Sequence, residues 1–224
     1  MHTLYYGIGA CSFVPHAALE AVKAATGEAF ETQLVKLHKG EQNSDAYKAL
    51  NPRGQVPVLV HDGQVITQII AIADYLAGLF PQQQFLPAAL GERARVLSTF
   101  AWMNNTVHPG FTHIFMPHKF TDDAQAQAAI KRYGVTLYRG YLGEIEALIQ
   151  AASARGDAWL GGAHFGPLDP YALTLARWGT LAGIPPADHP ALWSFVEGKV
   201  ARHPPVARVI ERERLQLNMI KPAN

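Results

Sequence analysis

The chain has 224 residues, 49% of them apolar, and a formal net charge of +1, enough for one compact unit or two small domains around a substantial core. A charge so close to zero, without a dense basic cluster, argues against nucleic acid or an anionic membrane surface as partners, and no apolar run approaches the ~20 residues of a membrane span. The single cysteine excludes an internal disulfide and a cysteine-based zinc site, and the opening MHTLYYGIG has neither the basic nor the apolar segment of a secretory signal, so a cytoplasmic location is expected.

The chain opens with a short strand, Thr3 to Tyr6, and a flexible turn, Gly7-Ile8-Gly9-Ala10. A helix follows from between Ser12 and Pro15, with Pro15 suited to its first position. Its apolar face would carry Val14, Ala18, Ala21, Val22 and Ala25, and Gly27 ends it. Phe30 to Leu37 reads as the next strand, and a β–α–β start implies a right-handed crossover between parallel strands. A polar loop, His38 to Asn43, and a short helix, Ser44 to Leu50, lead to the most informative stretch, Asn51 to Tyr75.

That stretch reads as turn, strand, turn, strand, helix. Asn51-Pro52-Arg53-Gly54 is turn chemistry. Val58-Leu59-Val60 is a short apolar run of the buried-strand kind, Asp62-Gly63 signals a tight hairpin, and Val65-Ile66 runs back. Thr67 would cap a helix burying Ile69, Ile70, Ile72, Ala73 and Leu76, with Gly78 and Pro81 stopping it. Pro57 stands at the head of a core strand, where it removes a ladder donor, and a cis Val56–Pro57 peptide is expected. Gln55 and Val56 would then hold main-chain groups off the sheet, open to pairing by an extended peptide-like ligand. The helix start at Gln68 and Ile69 offers N–H groups to a carboxylate.

Phe80 to Ala89, with Pro81 and Pro87, reads as a linker, and beyond Gly91 no strand pattern survives. Glu92 to about Val107 is helical, and His108-Pro109-Gly110 should bend or break it because Pro109 lacks a backbone donor. Asp122 to about Ala152 is one long amphipathic helix whose glycines at 134, 140 and 143 would admit a close neighbour. Further helices span Pro167 to about Leu181 and Pro190 to about Arg202, and a last one follows Pro205.

Two residues stand out for chemistry. Cys11 lies at the start of the first helix, where terminal N–H groups lower a thiol pKa; the other reading is a small buried hydrophobe. His108 either faces a cleft, where it orients a water or stabilises a thiolate, or caps a helix end before Pro109. Ser12 reads as a helix cap, Tyr5 and Tyr6 as strand residues, and His16 as structural. His108, His113 and His118 are spaced by five in a broken helix, which does not put metal ligands on one face.

NPRGQVPVLV, followed by a hairpin and Thr-Gln-x-x-Ala-Ile-x-x-Tyr-Leu, resembles the glutathione-binding segment of the glutathione transferase superfamily. TLYYGIGACSFVPHAAL, with its Cys-Ser pair and following Pro-His, is similar to the bacterial beta class. The resemblance continues into the C-terminal helices and covers nearly the whole chain. It implies an α/β thioredoxin-like domain (βαβ-α-ββα) over residues 1–79, a linker over 80–90 and an all-helical domain over 91–224. It also implies a homodimer, with glutathione as co-substrate, no bound cofactor and no metal. Glutathione would lie along Gln55, Val56 and Pro57, its γ-glutamyl end at Gln68 and Ile69 and its glycine end toward Lys36 or Lys39. Its sulfur would point to Cys11, Ser12 and the start of the first helix, with Ser12 as a hydroxyl donor to the thiolate, and His108 would face the active-site cleft. A small apolar electrophile would sit against Phe13, Phe111 and Phe115 and be conjugated. The alternatives are thiol–disulfide reduction through a mixed disulfide at Cys11 and a binding module without catalysis. The chain departs from the pattern at Ile69 (Ser or Gly in the family), Thr106 (Glu in the beta class) and Pro109 (Lys). At the start of the helix after Pro167, Gly166 replaces the usual Ser or Thr cap, while Asp169 remains to accept backbone N–H bonds.

Overall fold

The computed structural model describes residues 1–220. The first part of the chain forms strand β1 (His2–Tyr6), helix α1 (Phe13–Thr26), β2 (Phe30–Leu34), α2 (Asp45–Leu50), β3 (Val58–His61), β4 (Gln64–Thr67) and α3 (Ile69–Leu79). The strands lie in the order β2-β1-β3-β4, with β1 and β2 parallel and the other pairs antiparallel. This is a thioredoxin-like sheet. Six helices follow: α4 (Leu90–Trp102), α5 (His108–Phe115), α6 (Ala124–Ala154), α7 (Leu168–Leu181), α8 (Pro190–Phe195) and α9 (Pro204–Glu213). Among the described residues no helix is long and apolar enough to cross a membrane.

Helix α1 joins the two halves. Its Phe13, Val14 and Ala17 enter the helical core with Phe100, Met103 and Tyr171. Its Leu19, Ala21 and Val22 pack on the sheet side with Leu4, Leu59 and Leu76. Burial therefore extends round the helix beyond the face expected from the sequence. Ala25 is exposed, whereas His16 and Glu20 are buried and held by partners in α9. His16 Nδ1 lies 2.9 Å from Glu213, and Glu20 meets Arg208 at 2.9 Å and Arg212 at 3.1 Å. Pro15 is the third residue of α1, not the first.

Other boundaries differ from the sequence reading for local reasons. β2 ends at Leu34. Val35 still donates to the Tyr6 carbonyl at 2.8 Å, but Leu37 turns away in a short 3₁₀ turn and its side chain fills the space beside Gly7. Thr67 is the last residue of β4, paired with Val58, so the cap position of α3 falls to Gln68, which makes no side-chain cap bond. Gly78 lies inside α3, and the helix stops at the buried Phe80. The segment after it is packed by Phe80, Phe85 and Leu86.

The expected break at His108 takes another form. A π-type turn, Met103–Val107, carries the chain from α4 into α5, with the His108 N–H donating to Met103. A proline ring presses on the carbonyl four residues earlier, and widening the turn over that carbonyl, Asn105, lets the helix continue through Pro109. On α6 only Gly134 is tightly packed: a Cβ there would stand 3.0 Å from Ile114 of α5, while Gly140 has open space and Gly143 ordinary contact. Asp169 is fully buried and accepts the Leu160 N–H at 2.9 Å and the Gly166 N–H at 2.8 Å, so it ties the start of α7 to the preceding loop.

Candidate active site

The loop from Gly7 to Cys11 joins β1 to α1 and is gripped from the helical half of the molecule. The Gly9 N–H donates to Glu213 Oε2 at 2.8 Å, and the Trp178 indole donates to the Gly9 carbonyl at 2.9 Å. Gly9 has φ +63°, and the Arg177 guanidinium stands 2.7 Å from where a Cβ would be. A side chain at this position would be strained and would also collide.

Cys11 ends that loop as a half-buried residue. Its thiol donates to the Val56 carbonyl across the cleft at 3.6 Å. Burial pushes the thiol up to about 12, outweighing the backbone N–H groups of Cys11 and Ser12, which act in the opposite sense. The lowering expected from the helix start is present but loses to desolvation.

Ser12 does not face the cleft. Its hydroxyl is fully buried, donates to the Gly7 carbonyl at 3.1 Å and accepts the Gly7 N–H at 3.1 Å. It makes no cap bond to α1 either. Ser12 holds the N-cap position of α1, but its hydroxyl braces the loop, so the capping and thiolate-donor roles read for that hydroxyl from sequence are corrected.

Across from Cys11 the backbone before Pro57 is arranged for pairing. The Val56–Pro57 peptide is cis, and among the described residues nothing bonds to the Val56 N–H. The Gln55 carbonyl, expected to be open, is occupied by the Tyr47 hydroxyl at 2.9 Å and the Asn51 amide at 2.7 Å. At the start of α3, Gln68 is exposed and adopts φ +71°, an uncommon state for a non-glycine residue. Ile69 is 3% exposed: its side chain enters the helical core, so its bulk leaves the surface over the α3 terminus clear. Lys36 is exposed and lies 3.7 Å from Glu41; Lys39 is exposed.

On the helical side, His108 is half-buried. Its Nδ1 lies 3.0 Å from the Tyr171 hydroxyl, and its ring meets Trp178 edge-on at 4.7 Å. It does not cap a helix end. Burial lowers its pKa to about 4, so the imidazole is neutral at pH 7. Phe111 stacks on Trp178 at 4.9 Å and on Phe115 at 5.5 Å. Phe115 is 65% exposed, whereas Phe13 is 1% exposed and belongs to the core, not to a substrate wall. Trp178 and Tyr171 are site residues that the sequence reading passed over. Their spacing of seven, two helical turns on one face, was the available signal. Glu213 gave none, because its partners lie at the other end of the chain.

Among the described residues no three His, Cys, Asp or Glu side chains come together as a metal site. The open groove of about 640 Å³ between β2 and α2, lined by Tyr5, Gln33, Val35, Ser44, Tyr47 and Leu50, does not include Cys11, Val56 or His108.

Residues 1–78 match the family model for the glutathione S-transferase N-terminal domain. The chain is 30% identical over 221 residues to glutathione S-transferase GstA of Escherichia coli O157:H7, covering 95% of this chain and 99% of that one. A beta-class glutathione S-transferase of Sphingomonas chungbukensis superposes with a TM-score of 0.77 at 28% identity, over 96% of this chain and 100% of the other. A sphingomonad glutathione S-transferase complexed with glutathione gives the same TM-score, 0.77, identity, 28%, and coverage, 96% and 100%. With a thioredoxin-like sheet followed by helices, a matching N-terminal family model and a relative matched along nearly its whole length, the chain belongs to the glutathione S-transferase family.

Proposed function

We propose that the protein binds glutathione along Val56 and conjugates its thiolate to a small apolar electrophile. The observation that carries this reading is the set of groups that meet between Cys11 and Val56. An unpaired main-chain N–H at Val56 suits a peptide-like ligand, and the Cys11 thiol stands beside it, 3.6 Å from the Val56 carbonyl, where the sulfur of that ligand would arrive. The glutathione complex of the sphingomonad relative supports the choice of ligand. The γ-glutamyl carboxylate goes to the N–H groups at the start of α3, near Gln68 and Ile69, and the glycine end goes toward Lys36 or Lys39. Phe111, Phe115 and Trp178 form the apolar wall for the electrophile. A thiol held up near 12 and donating its hydrogen to the Val56 carbonyl makes Cys11 a poor attacking thiolate. That favours conjugation over disulfide reduction. Following the family resemblance, the protein works as a homodimer, and sedimentation equilibrium at micromolar protein would return a monomer if it does not.

Calorimetric titration with glutathione and turnover of an activated aryl halide, in the native protein and in Cys11→Ala, test the proposal. Saturable binding with conjugation largely kept in Cys11→Ala is expected. Absence of binding at millimolar glutathione would refute the reading. A rapid glutathionyl adduct from oxidised glutathione, with conjugation lost in Cys11→Ala, would replace it with the reductase.

A further inference from the structure

We infer that Tyr171 and Asn104 are positioning residues that fix His108 as its Nδ1–H tautomer, so that the imidazole presents Nε2 to the cleft as an acceptor and not as a donor. The tautomer of a neutral imidazole is set by the bond its other nitrogen makes. His108 Nδ1 lies 3.0 Å from the Tyr171 hydroxyl, and that hydroxyl lies 3.4 Å from Asn104 Oδ1. A phenol has one hydrogen to give. The Asn104 amide nitrogen donates to Asn105 Oδ1 at 3.0 Å, the orientation that turns the Asn104 oxygen to Tyr171 as the acceptor of that hydrogen. The Tyr171 oxygen is then left to accept, and the hydrogen it accepts is on His108 Nδ1. Tyr171 is itself fully buried between Phe100 and His108, so it holds one geometry. Burial alone depresses the His108 pKa, which keeps the ring neutral and the tautomer well defined at pH 7.

The consequence for the site rests on the proposed glutathione reading. An Nε2 acceptor takes a hydrogen bond from a thiol or from a water, and it cannot donate to a thiolate. Of the two roles open to a cleft histidine in the sequence, orienting a water and stabilising a thiolate, the relay selects the first.

The tautomer is measured without reference to activity, by two-bond ¹H–¹⁵N correlation on protein labelled in histidine at pH 7.5. His108 should show a protonated-type Nδ1 and an unprotonated Nε2. Asn104→Ala frees the Tyr171 hydrogen to bond Nδ1, and Tyr171→Phe removes the acceptor, so both should move His108 toward the Nε2–H form. Asn104 is only partly buried, so its variant carries the test if Tyr171→Phe does not fold. An Nε2–H signal in the native protein would overturn the inference, as would a tautomer unchanged in the variants that fold. Glutathione added to the native sample should leave the tautomer in place and shift Nε2. A titration that moves no His108 signal would count against the glutathione reading and leave the relay standing.

Discussion

Alkylation of Cys11 tests the electrostatics of the site most directly. A free cysteine titrates near 8.5, so about a tenth of it is thiolate at pH 7.5. With the Cys11 thiol at about 12, the thiolate fraction falls by on the order of 10³. Part of that loss is recovered, because a more basic thiolate is intrinsically more nucleophilic, with a Brønsted slope of about 0.4–0.5. Over this interval the slope returns roughly 30-fold, which leaves Cys11 about 10²-fold slower than free cysteine at pH 7.5. Iodoacetamide labelling followed by intact mass, from pH 6 to pH 10, measures the rate. The logarithm of the rate should rise with pH at unit slope and show no plateau below pH 10, and urea should restore the rate of a free thiol. A half-maximal rate below pH 8 in the native protein would mean that the backbone N–H groups of Cys11 and Ser12 outweigh burial. Cys11 would then be a thiolate at neutral pH, and the case for conjugation over disulfide reduction would fail.

Three substitutions probe the surroundings. Glu213→Ala removes one member of a pair in which both side chains are 0% exposed, together with the bond to Gly9; urea unfolding should show a loss of about 3–5 kcal/mol, and a loss below about 1 kcal/mol would refute the pairing. Asp169→Asn replaces one of two carboxylate acceptors with a donor, and the stranded N–H should cost about 1–3 kcal/mol; unchanged stability would contradict the bonding described. Phe111→Ala removes the ring between Trp178 and Phe115, which should lower stability by about 3–5 kcal/mol and raise KM for an apolar electrophile, and an unchanged KM in folded protein would remove Phe111 from the substrate wall.

The order of strands and helices was legible because each element carries its own local signal. Val58 to Val60 reads as a strand from its apolar run and Asp62-Gly63 as a turn, and the hairpin β3–β4 lies there. The resemblance carried Cys11 and Val56, and the thiol and carbonyl do face one another. What was not legible depends on groups far apart in sequence. Ser12 has the right residue type for a cap or a thiolate donor, but Gly7 takes both of its hydrogen-bonding capacities, and no local pattern announces that. Cys11 has the right position for a lowered pKa, but its desolvation depends on how closely the helical half packs over it. Phe13 looks like a pocket aromatic, yet it begins a helix that serves both cores.

The helical half therefore does more than wall off an electrophile. Gly9 is bonded through its N–H to α9 and through its carbonyl to α7, and Cys11 is two residues on. The placement of the Cys11 sulfur against Val56 is thus referenced to residues 169 and 204 positions along the chain from Gly9. Glu213 is held in turn by His16, on the helix that Cys11 leads into, so loop, α1 and α9 close a buried ring of contacts. A rotation of the helical half against the sheet would have to break that ring or carry the Cys11 loop with it. Stability and sulfur position are therefore coupled. The coupling predicts that substitutions in α9, away from the proposed glutathione contacts, alter the labelling rate of Cys11 in protein that remains folded. In Glu213→Gln, which keeps an acceptor for one of the two bonds, the rate should fall between those of the native protein and Glu213→Ala. Equal labelling rates in all three would show that Gly9 holds its place without α9.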